Sequence, residues 1–188
     1  TLVQQVVLAL EIAGGRRQQA EGRREEAFHT VFNDKPHHRR IRILEIGAGT
    51  GGTTAYLLPH LDPAVTEYTF SDVSPRFIHN AQQKFQEYDF VQYRVLDIEK
   101  SPQAQGFALN HYDIVIAANV LHATCSLTQS LAHVQQLLVD DGVLILLEST
   151  QKLRSLDLIF GLTDGWWRFS DRDLRFAHPL LAVAQWQQ

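Results

Sequence analysis

Ile43-Leu44-Glu45-Ile46-Gly47-Ala48-Gly49-Thr50-Gly51-Gly52-Thr53-Thr54 is a β-rich run that stops at a glycine loop and passes into a helix. The context matters more than the glycines themselves. Residues without a Cβ let the chain turn sharply and approach a ligand closely, and the helix that follows presents a positive N-terminal end. A tight structural turn is the plain alternative, but this many glycines between a strand and a helix make a ligand loop the better reading.

Working outward, strand and helix alternate. Ile41–Ile46 is the first strand; Thr53–Leu61 reads as a helix, Thr66–Phe70 as the second strand, and Pro75–Tyr88 as a helix with Ser74 as its cap. Phe90–Leu96 and Tyr112–Ala118 are the next strands. Leu127–Val139 is a helix ended by Asp140-Asp141-Gly142, and the strongly apolar Val143–Glu148 is the fifth strand. Such alternation predicts a doubly wound α/β fold, a parallel sheet with helices on both faces and right-handed crossovers. A helix is expected around Leu153–Leu162, and no strand pattern follows it. Toward the N-terminus, Leu2, Val3, Val6, Val7 and Leu10 recur at helical spacing, while Arg16–Glu26 alternates charge without an apolar stripe and reads as a solvated linker. Residues 1–40 are thus expected to be a helical and linker segment, and 41–188 the ligand-binding core.

The bulk numbers narrow the function. The 188 residues are 45% hydrophobic and 20% charged, enough for one domain with a real core. A formal charge of −4 with scattered Lys and Arg argues against nucleic acid as a partner. The single cysteine, Cys125, rules out an internal disulfide and suits a reducing cytoplasm. No apolar run is long enough to cross a bilayer, so no membrane partner is expected. No histidine, cysteine and carboxylate set has metal-ligand spacing, so no metal is expected. The chain opens on Thr1 in mid-pattern, contains no methionine and closes on Trp186-Gln187-Gln188, which reads as a fragment of something longer.

Gly47, Gly49 and Gly52 also satisfy the dinucleotide pattern, so the loop alone does not choose between a nicotinamide cofactor and S-adenosyl-L-methionine. Acidic residues at successive strand ends favour the second. Glu45 closes the first strand, Asp72 lies just past the second and Asp97 just past the third, all bordering the crevice where open α/β sheets bind ligands. Asp72 suits ribose hydroxyls, Asp97 an adenine amino group, and Ile98 the face of the ring. Each alone is more often a turn residue; their regular placement raises the odds.

These blocks resemble the class I S-adenosylmethionine-dependent methyltransferases. Together with Phe70-Ser71-Asp72-Val73-Ser74, Ala118-Asn119-Val120-Leu121-His122-Ala123-Thr124, Leu147-Glu148-Ser149-Thr150 and Gly161-Leu162-Thr163-Asp164-Gly165-Trp166-Trp167, they resemble the C-methyltransferase domains of type I polyketide synthases. The resemblance runs from about Ile41 to Trp167. It implies a Rossmann-like fold of strand order 3-2-1-4-5, usually completed by antiparallel strands that are missing here, and cofactor contacts at Glu45, Gly47, Ala48, Gly49, Thr50, Asp72, Val73, Asp97, Ile98 and Asn119. It further implies methylation of the α-carbon of a β-ketoacyl thioester, with His122 and Glu148 as catalytic dyad. The implied partners are an acyl carrier protein bearing β-ketoacyl-phosphopantetheine and neighbouring polyketide synthase domains.

His122 has a bland reading too, since one histidine among nine is usually a surface or core residue. Its position sets it apart: carboxyl ends of adjacent strands lie about 5 Å apart across the ladder, which brings His122 and Glu148 within reach. Cys125, a few residues on, has no third orienting group and is read as a small core residue rather than a nucleophile. Trp166-Trp167 divides evenly between plain core and a wall of the substrate channel. Two rivals remain: a non-catalytic pseudo-methyltransferase that scaffolds a megasynthase, and a nicotinamide-dependent reductase, which lacks an evident tyrosine-lysine pair.

Overall fold

A computed structural model describes residues 40–186 except 164. The helix expected at Leu2–Leu10 and the linker at Arg16–Glu26 lie outside the described residues. Five strands alternate with helices: β1 (Ile41–Ile46), α1 (Gly52–Leu57), β2 (Thr66–Asp72), α2 (Pro75–Lys84), β3 (Val91–Val95), β4 (Tyr112–Ala118), α3 (Leu127–Leu137), β5 (Leu138–Leu147), α4 (Arg154–Phe160) and α5 (Val183–Trp186). The strands form one sheet in the order β3-β2-β1-β4-β5, every pairing parallel. This is the Rossmann-like order expected from sequence. No helix among the described residues is long and apolar enough to cross a membrane.

Period-two alternation divides the core between the two faces of the sheet. Ile43, Tyr68, Phe70, Ile114 and Ile116 face α2, whose Ile78 and Ala81 close over them. Leu44, Ile46, Val115, Ala117, Leu144 and Leu146 face α3 through Leu127, Val134 and Leu137. Burial on both faces is what a parallel sheet requires, and it explains the near-continuous apolar runs of β1 and β4.

Several boundaries move. The first helix closes at Leu57 and tightens into a 3-10 turn over Leu58–His60, where Pro59 cannot continue the α-helical bonding. Helix α2 stops at Lys84 rather than Tyr88. Ser74 occupies its cap position without a side-chain cap bond; Ser74 N–H instead donates to Asp72 Oδ1 at 2.8 Å, and Pro75 begins the first turn. Helix α3 ends at Leu137, and β5 starts at once with Leu138. The Asp140-Asp141-Gly142 stretch, expected as a break before the strand, falls within a register irregularity in β5: Tyr112 pairs with Leu138 but Ile114 with Val143. A bulge absorbs the extra residues without ending the strand.

No strand follows β5 among the described residues, and β5 pairs only with β4. One face of β5 is covered from beyond the strand. Leu181 joins the cluster around Leu144 and Leu146, and Trp186 packs against it, so the segment leading into α5 closes that side. On the other face Val143, Ile145 and Leu147 stay half-buried.

Two loop glycines are held by steric necessity. A Cβ on Gly47 would lie 2.7 Å from Val120 Cγ2, and one on Gly51 2.6 Å from Phe85 Cε2, both at left-handed φ of +59° and +72°. Overpacking of this kind costs roughly 1–3 kcal/mol, and the left-handed backbone adds to it. Gly51→Ala should therefore lower the denaturant midpoint clearly, whereas Gly52→Ala, where nothing lies within 4 Å, should not. Equal midpoints for the two variants would contradict this packing.

Candidate active site

The strand ends converge because parallel register stacks them. Ala118 pairs with Leu147, so the next residues, Asn119 and Glu148, leave β4 and β5 side by side. Asn119 N–H donates to Leu147 O at 2.7 Å, and Asn119 then takes a left-handed φ of 55°. Asparagine tolerates that conformation better than most residues. Its Oδ1 accepts from Ser149 N–H at 3.1 Å and Ser149 Oγ at 3.3 Å. This turn aims the next two amides at Glu148: Oε1 accepts from Val120 N–H at 2.9 Å and Leu121 N–H at 2.7 Å.

The other oxygen of the same carboxylate, Oε2, lies 2.5 Å from His122 Nδ1. The Glu148 side chain is 2% exposed and that of His122 11% exposed. Because a carboxylate accepts, Nδ1 carries a proton, and in the neutral imidazole Nε2 is then the nitrogen with the lone pair. Nε2 has no partner among the described residues. The Trp166 and His122 rings meet in a T-shaped arrangement, 5.4 Å between centroids and 73° between planes, a contact that favours one ring orientation.

The glycine loop adjoins this pair, since Gly47 presses on Val120, two residues before His122. Gly49 N–H donates to Asp72 Oδ2 at 2.9 Å, and Ala48 N–H to Ser71 O at 2.9 Å, tying the loop to the end of β2. Asp72 is 5% exposed. Asp97, on the neighbouring strand end, accepts from Glu99 N–H at 3.1 Å through Oδ1 and pairs with Lys100 at 2.9 Å through Oδ2. Asp72 and Asp97 thus both build turns at the carboxyl ends of neighbouring strands. Val73 is 60% exposed just past β2, and Thr50 and Asn119 are exposed at the same edge of the sheet. Beyond Gly49 and Gly52 the space is open: a Cβ there would meet Gly47 O at 3.9 Å and nothing within 4 Å, respectively. This is room for a ligand to approach the backbone.

Two expected contact residues lie elsewhere. Glu45 is 1% exposed and points into the α2-side core, where Thr54 Oγ1 donates to its Oε2 at 2.5 Å and Tyr68 OH at 2.6 Å. It holds the loop and α1 from beneath instead of facing the crevice. Ile98 is 5% exposed and packs in the core cluster with Leu96 and Leu127, so it is a buried support of the crevice floor and not an open ring-stacking face. Alternation along β1 explains the first: Glu45 shares its face with Ile43. The tryptophans divide, Trp166 being 5% and Trp167 46% exposed.

Sequence reasoning missed the residues that brace the site from behind. Asp157 Oδ1 accepts from Trp166 Nε1 at 3.0 Å and lies 3.0 Å from His178 Nε2, clamping the tryptophan that touches His122. Arg175, 1% exposed, bonds to the backbone of the His122 turn. Neither belongs to a motif, and a buried arginine reads like a surface one in a single sequence.

The comparisons with known proteins agree with this fold. A family model described as "Methyltransferase domain" matches residues 44–144, and the chain belongs to that family. Among curated proteins it is 45% identical over 153 residues to the non-reducing polyketide synthase ausA of Penicillium brasilianum, covering 80% of this chain and 6% of that protein. The CurJ carbon methyltransferase superposes with a TM-score of 0.84 at 54% identity, over 87% of this chain and 43% of that one. The trans-methyltransferase CalH, solved in complex with SAH, gives 0.73 at 44% identity, over 78% of this chain and 42% of that one. The chain therefore spans a small part of the curated relative and less than half of the solved domains.

Burial is the largest influence on the Glu45 carboxyl and raises it above the ordinary carboxylate range, against the lowering effect of the Thr54 and Tyr68 hydrogen bonds. The folded state then holds a proton there that the unfolded state releases. This contribution to stability is complete below the unfolded carboxylate value and is lost as pH rises through the raised one. Relative to Glu45→Gln, the parent should accordingly lose stability across that window and run parallel above it. Denaturant midpoints of both proteins against pH check this; a parent that gains relative stability with rising pH would contradict it.

Proposed function

We propose that this chain is a C-methyltransferase unit of a polyketide synthase. It binds S-adenosylmethionine in the crevice at the carboxyl ends of β1 to β4 and methylates the α-carbon of a β-ketoacyl thioester, carried on the phosphopantetheine of an acyl carrier protein beside neighbouring synthase domains. The observation that carries the reading is the buried Glu148–His122 pair, set next to the glycine loop with Nε2 free. The likeness to polyketide synthases and to carbon methyltransferases supports the acceptor class.

The residues present fit the cofactor. Gly47, Ala48, Gly49 and Thr50 offer a backbone cradle with open space at Gly49 and Gly52, which leaves a close approach unobstructed. Asp72 would accept from the ribose hydroxyls on lone pairs left over from its two backbone bonds, and Asp97 from the adenine amino group. Val73 and Asn119 border the same crevice. Glu45 and Ile98 act from beneath, by holding the loop and the floor. S-adenosylmethionine, when bound, supplies an electrophilic methyl on a positively charged sulfur, so the chemistry needs no metal.

His122 Nε2 accepts a proton from the α-carbon, which the two flanking carbonyls of the acceptor acidify. Glu148 keeps the lone pair on Nε2 and stabilises the imidazolium that results, with its second oxygen held by the Val120 and Leu121 amides. Trp166, in T-shaped contact, favours one orientation of the ring.

Mass spectrometry of a β-ketoacyl carrier protein incubated with S-adenosylmethionine tests the proposal. The parent should add one methyl. His122→Ala should slow methylation by about 10²–10⁴-fold with cofactor affinity unchanged, and Glu148→Gln should fall between the two. In calorimetric titrations Asp72→Ala should weaken cofactor binding by roughly 1.5–3 kcal/mol, the worth of hydrogen bonds to a charged group. A His122 variant that methylates at the parent rate defeats the mechanism, and an Asp72 variant of unchanged affinity removes that residue from the site.

A further inference from the structure

The turn that carries His122 is short, irregular and partly buried, and four successive carbonyls in it need partners. All four find them on one downstream segment. Arg175 Nη1 donates to His122 O at 2.9 Å, and Arg168 Nε to Ala123 O at 3.2 Å. Arg175 Nη2 donates to Thr124 O at 2.8 Å and to Cys125 O at 3.1 Å. Ser170 adds its N–H and its Oγ to Cys125 O at 2.8 Å and 3.1 Å.

The Arg175 side chain is 0% exposed, a cation out of water. Its counter-charge among the described residues is Asp171, whose Oδ1 accepts from Nε at 2.7 Å while Oδ2 accepts from Leu127 N–H, at the first turn of α3, at 2.8 Å. Phe169 lies beneath the guanidinium at 5.3 Å. Arg168 also pairs with Glu99, which accepts from Cys125 N–H. A buried charge is expensive unless paired and fully hydrogen-bonded, and replacing such a buried ion pair by hydrophobic residues of similar volume is often neutral or stabilising. Stability alone is therefore a weak reason to bury an arginine here. Its acceptors begin at the carbonyl of His122 itself, and a planar guanidinium can reach several fixed acceptors at once where an ammonium cannot.

We propose that Arg175, held by Asp171, is a positioning residue for His122: it locks the backbone of residues 122–125 so that Nε2 stays aimed at the acceptor carbon. This rests on the reading of His122 as the base. Such a residue touches neither substrate nor cofactor. It acts through the placement of one that does, and displacement by a fraction of an ångström at the reacting atoms lowers turnover more than binding.

Arg175→Lys keeps the charge but loses the fork, and Asp171→Asn keeps the volume but loses the counter-charge. In the full chain, with β-ketoacyl carrier protein and S-adenosylmethionine, each should lower kcat by about ten- to a hundredfold. KM for the carrier and cofactor affinity should stay within about twofold. The proton resonance of His122 Nδ1–H, bonded to Glu148, should shift or broaden in both variants and persist in the parent. If Arg175→Lys does not fold, Asp171→Asn carries the same readings. Folded variants with parent kcat and an unmoved His122 resonance overturn the inference, as does loss of melting temperature without change in kcat. A His122→Ala control separates the two levels. If it keeps the parent rate, the reading of the base fails. If it is inactive while both brace variants turn over normally, only the positioning role fails.

Discussion

The carboxylate of Glu148 is the interaction on which the rest of the site depends. It is buried, and its two oxygens collect the Val120 and Leu121 amides on one side and the His122 ring on the other. Remove it and two backbone donors and an imidazole nitrogen lose their acceptor at once, each at a penalty of about 1–3 kcal/mol when buried. The requirement propagates. Glu148 must leave β5 beside the end of β4, which needs the parallel β4–β5 register, and the bulge around Asp140-Asp141-Gly142 lets that register coexist with the helix that precedes it. Asn119 must then turn left-handed, so that the chain comes back over the carboxylate.

On the neighbouring strands the same economy recurs. Asp72 accepts from the Ser74 amide and holds the glycine loop through Gly49, so one carboxylate ties the end of β2 both to the loop and to the start of α2. Glu45 works from inside the core, where Thr54 and Tyr68 fasten it and burial raises its carboxyl. The glycine loop is thereby held in place by bonds to acidic side chains, and a loop held in this way loses less freedom if a ligand binds it.

Much of this was legible in the sequence because parallel sheets write their burial as uninterrupted apolar runs and because the glycine loop has few other uses. The strands and the positions of Asp72 and Asp97 at their ends followed from that frame, while the strand order and the convergence of His122 with Glu148 came from the resemblance to polyketide synthase C-methyltransferases. The orientation of Glu45 was less visible: an acidic residue at a strand end reads the same whether it faces a crevice or a core, and only the face shared with Ile43 decides. Helix ends at Leu57, Lys84 and Leu137 moved because tertiary packing and local turn bonding override propensity at boundaries. The brace of Arg168, Ser170, Asp171 and Arg175 left no trace at all, since its partners are backbone carbonyls far along the chain, and carbonyls have no sequence signature.

Proton removal can be separated from methyl transfer by replacing the methyl donor with S-adenosylhomocysteine and following deuterium uptake at the α-carbon of a β-ketoacyl carrier protein in heavy water. With His122 as the base, the chain should accelerate exchange well above the spontaneous rate, and His122→Ala should return it to that rate. Exchange that is equally fast with and without the imidazole would contradict the account.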